Sequence, residues 1–75
     1  PVGDLPVSAV RLEEAFRIAK AFPETAQVVN AWVASGHPMR RYQLKVLEEY
    51  AWVRRAQIAA QELKALQSRP DDARP

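Results

Sequence analysis

Two pairs of adjacent carboxylates, Glu13-Glu14 and Glu48-Glu49, are the residues with the most obvious capacity for acid–base work. Neighbours in a helix point ~100° apart, so neither pair converges on one site, and each pair is expected to solvate a helix surface. Ser8 and Ser35 have no His or Lys placed as a base, and helix capping accounts for both. Gly3 and Gly36 are the only glycines, too few for a phosphate-cradling loop. Cysteine is absent, which excludes disulfides and thiolate ligands, and His37 is the only histidine. The sequence therefore predicts no catalytic residue, no metal site, no cofactor and no small-molecule substrate; it reads as a non-enzyme. His37 has one sharper use, as a pH-sensitive or capping group at a helix start close to Arg40 and Arg41, against the plain reading of a turn residue.

Basic side chains are the second place to look for chemistry. Arg40, Arg41, Lys45, Arg54 and Arg55 crowd one stretch, and the first three fall where a recognition helix contacts DNA. A small dimeric DNA-binding regulator is accordingly the alternative functional reading. Several features oppose it. Trp32 stands where a helix-turn-helix needs a small residue for close crossing, and His37-Pro38 stiffens the turn. Arg41, Glu48, Arg55 and Glu62 recur every seventh residue with alternating sign, which describes an exposed mixed-charge face. With 11 basic against 9 acidic side chains the net charge is only +2, so composition does not call for nucleic acid. No apolar run approaches the ~20 residues of a membrane span, and no signal segment is evident, so the default expectation is a cytoplasmic protein without membrane contact. Trp52 beside Arg54 and Arg55 hints at a membrane-surface helix, but Glu48, Glu49 and Glu62 oppose anionic lipid.

The elements that position these residues follow from the punctuation. Pro1, Gly3 and Pro6 make residues 1–7 an extended lead-in. Asp4 or Ser8 can cap the first helix, with Ser8 favoured for the regular part, and residues 8–21 carry an apolar face of Val10, Leu12, Ala15, Phe16, Ile18 and Ala19. Phe22-Pro23 ends that helix and starts a second over 23–35, whose inward residues are expected to be Ala26, Val28, Val29, Trp32 and Val33, stopped by Gly36. A third helix is expected over 38–67, a stretch without Gly or Pro after Pro38 and rich in strong helix formers. Residues 68–75 offer nothing to bury and read as a disordered tail.

The long helix carries three apolar rows at ~100° per residue: Tyr42, Val46, Tyr50, Val53 and Ala60; Leu44, Leu47, Ala51, Ile58 and Ala65; and Trp52, Ala56, Ala59, Leu63 and Leu66. Two short helices of ~20 Å cover about half of a ~45 Å one. The fold predicted is all-α: two short helices packed against the first half of one long C-terminal helix, its late half available for oligomerisation. Phe16, Phe22, Trp32, Tyr42 and Tyr50 are expected to fill the core, and Trp52, pointing ~160° from Tyr50, to anchor an interface. The third row has the four-three spacing of a coiled-coil seam, over about two heptads. A chain of 75 residues sits near the lower limit of independent stability, where association commonly helps. The functional expectation is a protein–protein interaction module using Trp52, Ala56, Ala59, Leu63 and Leu66, its partner a second copy or another helical protein.

Overall fold

The computed structural model describes residues 1–68, which contain three α-helices: α1 (Ala9–Ala21), α2 (Ala26–Ala34) and α3 (Arg41–Gln67). Short 3-10 turns occupy Val2–Asp4 and Pro23–Thr25. The all-α arrangement is as the sequence predicts, with both short helices gathered at the first half of α3. Among the described residues, extended pairing is limited to one isolated bridge between Pro6 and Arg40. Of the tail expected over 68–75, only Ser68 is described; its N–H donates to the Lys64 carbonyl at 3.0 Å and closes α3.

Local chemistry sets the helix ends. Ser8 is extended, and its hydroxyl accepts from the Arg11 N–H at 3.3 Å, satisfying one free donor of the first turn. At the far end Phe22 leaves the helical region ahead of Pro23, with its N–H still donating to the Ile18 carbonyl at 2.8 Å. The segment expected to be one helix over 23–35 opens instead as a 3-10 turn, in which the Thr25 hydroxyl donates to the Phe22 carbonyl at 2.7 Å. Gly36 takes the left-handed conformation, φ 80°, that stops α2.

The third helix starts at Arg41, three residues after the expected Pro38. Tertiary pairing is the cause. Val7 N–H donates to the Met39 carbonyl at 2.9 Å and Arg41 N–H donates to the Leu5 carbonyl at 2.9 Å, so 38–40 run extended beside the lead-in. That placement buries Met39, and the Gln43 side chain takes up the Arg40 N–H at 2.8 Å. A helix from Pro38 would forgo both cross-segment bonds. The lead-in is thus a strap, with Arg40 also donating to the Asp4 carbonyl at 2.7 Å.

The core comprises Ala15, Ile18, Phe22, Val29, Met39, Leu44, Leu47 and Ala51, with Val7, Leu12, Ala19, Trp32 and Tyr50 packed around it. α1 packs on both α2 and α3. Leu44, Leu47 and Ala51 of the second apolar row of α3 therefore face inward, whereas Ile58 and Ala65 of the same row are exposed. The aromatic core expected from the sequence is only partly realised: Phe22 is buried, Trp32 and Tyr50 are half-buried, and Phe16 and Tyr42 are 45% and 50% exposed. Val10, Val28 and Val33 are likewise exposed rather than inward. The core ends at Ala51. There Arg55 lays its guanidinium over the Phe22 ring at 5.8 Å and the Trp52 ring at 5.9 Å, capping the apolar layer with a cation. Beyond it α3 continues outward, giving extents of 59 × 23 × 17 Å and a radius of gyration of 17.4 Å. A compact chain of this length would have about 11 Å.

Candidate functional site: the projecting half of the long helix

Every residue from Arg55 to Ser68 is exposed. A helix of this length surrounded by water is marginal, because few backbone bonds follow the costly first turn. Within it lies the row singled out from the sequence. Trp52 is 70% exposed, Leu63 56% and Leu66 52%, with Ala56 and Ala59 open between them. The five residues share one face of α3 by their spacing, a strip of ~21 Å from Trp52 to Leu66 at ~1.5 Å per residue. Small side chains at its middle leave room for another helix to approach to ~8 Å.

The basic residues do not form one patch. Arg40 is drawn onto the Asp4 carbonyl, Arg54 lies 3.4 Å from the Glu24 carboxylate and 2.8 Å from the Gln57 amide oxygen, and Arg55 is stacked on Phe22. Arg41 and Lys45 stand apart from these, on a shallow groove of about 600 Å³ that also includes Arg11, Tyr42 and Glu48. Arg11 and Glu48 approach to 3.9 Å there. His37 is exposed, and its backbone N–H donates to the Ser35 hydroxyl at 3.3 Å. With α3 starting at Arg41, His37 lies outside the capping position. Among the described residues no cluster of three or more His, Cys, Asp or Glu side chains forms, and no helix is long and apolar enough to cross a membrane.

One feature has no counterpart in the sequence reading. A second groove, about 400 Å³, opens between α2 and α3 over Val28, Trp32, Val46 and Tyr50, and the Glu24–Tyr50–Arg54 cluster closes its rim. Tyr50 meets Phe22 edge-on, ring centroids 6.2 Å apart and planes at 87°. Only the docking of the 3-10 turn brings position 24 to positions 50 and 54, so spacing along the chain gives no hint of it. The Tyr50 hydroxyl donates to Glu24 and holds that carboxyl below its usual range, helped by the backbone and by Arg54. The same bond, with some desolvation, raises the Tyr50 hydroxyl above its usual value.

Both shifts have consequences for stability. The Glu24 contribution is present above its unfolded pKa and lost as pH falls through the lowered folded value. The Tyr50 contribution is present below its unfolded pKa and lost as pH rises through the raised folded value. The bond thus supports the fold between about pH 5 and about pH 10 and weakens at either end. Thermal melts from about pH 3 to about pH 11 should show a flatter profile for Tyr50→Phe than for the wild type. Equal profiles would mean that the hydroxyl and the carboxylate are as well solvated apart as together.

Comparison with known proteins finds no family model, no curated protein and no solved structure that matches this chain.

Proposed function

We propose that this chain is a small, non-catalytic helical interaction module that associates with a second copy of itself through the late half of α3. The observation that supports this reading is the coincidence of two properties on one segment. Among the described residues, every position from 55 to 68 is exposed, and the row they continue from Trp52 presents apolar side chains at seam spacing. Leaving Trp52, Leu63 and Leu66 half or more exposed forgoes a large part of the ~1.5–3 kcal/mol that full burial of each such side chain contributes. A different helical protein is the other occupant such a row accepts. The alternative of a dimeric DNA-binding regulator rests on Arg41 and Lys45, because Arg40, Arg54 and Arg55 are engaged within the chain.

Sedimentation equilibrium across a wide concentration range tests the proposal. A two-heptad seam on a helix continuous with the folded body is expected to give a reversible dimer with a dissociation constant on the order of 10⁻⁶ to 10⁻⁵ M. A chain that stays monomeric up to about millimolar concentration would overturn self-association and leave the row to another protein.

A further inference from the structure

We infer that the second copy lies antiparallel, in one register, with Trp52 against the partner's Leu63 and Ala56 against the partner's Ala59. The inference rests on the self-association reading above and fixes its geometry. Taking Trp52, Ala59 and Leu66 as d positions and Ala56 and Leu63 as a positions, the flanking g positions are Glu48, Arg55 and Glu62, preceded by Arg41. The opposite flank, the e positions, holds Val53, Ala60 and Gln67. Arg55 and Glu62 are both exposed, and neither makes an ion pair within its own chain among the described residues.

Orientation follows from where those charges fall. In a parallel pair, g residues face e residues of the partner, so Arg55 would meet an alanine and Glu62 a glutamine, with no charge satisfied. In an antiparallel pair, g faces g and e faces e. The register named above then places Arg55 beside the partner's Glu62 and, by symmetry, Glu62 beside the partner's Arg55. On the other flank Val53 meets the partner's Ala60, an apolar pair. Sliding the copies by one heptad toward the C-terminal ends brings Glu62 onto the partner's Glu62. Sliding them the other way brings Arg55 onto the partner's Arg55 and Glu48 onto the partner's Glu62. The alternating sign therefore admits one antiparallel register and penalises its neighbours. Small residues then fill the centre, allowing close approach, while Trp52–Leu63 layers close both ends and Leu66 lies beyond them, beside the partner's Glu49. Arg55 can keep its stack on Phe22, since a guanidinium bonds a carboxylate through its edge and an aromatic ring through its face.

Charge reversal by sedimentation equilibrium is the experiment. Arg55→Glu alone and Glu62→Arg alone should each weaken the dimer roughly tenfold or more, because each converts two attractive pairs into two repulsive ones. An equimolar mixture of the two variants should associate to within about threefold of the wild-type affinity, as should the double variant. Because Arg55→Glu also removes the stack on Phe22, a Leu66→Cys variant, at a d position of the seam, reports orientation independently. The antiparallel register sets the two introduced thiols about 17 residues, or ~25 Å, apart along the pair, beyond the ~7 Å a disulfide spans, whereas a parallel pair would set them face to face. No disulfide-linked dimer should form at concentrations where the wild type is dimeric. If the wild type dimerises but the mixture shows no rescue, or Leu66→Cys cross-links readily, the antiparallel register is overturned while self-association stands. If the wild type is monomeric, both fall.

Discussion

Leu44→Ala is expected to take this molecule to the edge of unfolding. Leu44 is fully buried in the small core, and removing its isobutyl group leaves a cavity worth about 2–5 kcal/mol. A chain of 75 residues has roughly 4–11 kcal/mol of stability in total, at ~0.05–0.15 kcal/mol per residue. Among the described residues eight apolar side chains make up the buried cluster, so few neighbours are available to collapse into the gap. Urea titration should show a midpoint lowered by a large fraction of its wild-type value with an unchanged slope. Tyr42→Ala, from the half-exposed first row, should cost much less. A Leu44→Ala effect below about 1 kcal/mol would mean that the second apolar row does not hold α3 to the body.

That contrast also shows what the sequence can and cannot convey. Proline and glycine placement marks three helices, and Ser8, Phe22-Pro23 and Gly36 mark their ends, because caps and stops are local chemistry. Which apolar row of α3 turns inward is not local. Three rows compete, and the docking of α1 selects Leu44, Leu47 and Ala51, leaving Tyr42, Val46 and Val53 in water. Size misleads here: Tyr42 and Phe16 carry large apolar area, whereas the fully buried positions include Ala15 and Ala51, small enough for helices to close on. Met39 was equally illegible, since it sits in a linker and is buried only because the lead-in pairs with 39–41.

The candidate site was more legible than the core. Length alone says that two short helices cannot cover α3, and the Trp52-to-Leu66 row needs only its own helical spacing to lie on one face. The engagement of Arg40, Arg54 and Arg55 within the chain was not legible, because each partner lies elsewhere in the sequence or depends on a rotamer. The scattered placement of those cations is the structural reason a basic stretch in the sequence does not become a basic surface.

Leu63→Glu separates the two halves of α3. In the associated state each copy of Leu63 packs at an end of the seam, so the substitution places two carboxylates in apolar contacts without partners. Dissociation should become at least on the order of a hundredfold easier, about 2.8 kcal/mol or more at 1.4 kcal/mol per factor of ten. The body should be spared, because among the described residues no core position lies beyond Ala51. Urea titration should therefore report a monomer whose core resists unfolding as the dissociated wild type does. The late helix should not be spared: without cover, amides from Ala56 to Leu66 should exchange with solvent much faster, while those from Leu44 to Ala51 keep their protection. In the wild type the same late amides should gain protection as concentration rises, in step with association. Global unfolding of Leu63→Glu would place the late half of α3 in the cooperative core. An unaltered dimer would move the interface to another exposed apolar surface, with Tyr42, Val46 and Val53 the first residues to substitute.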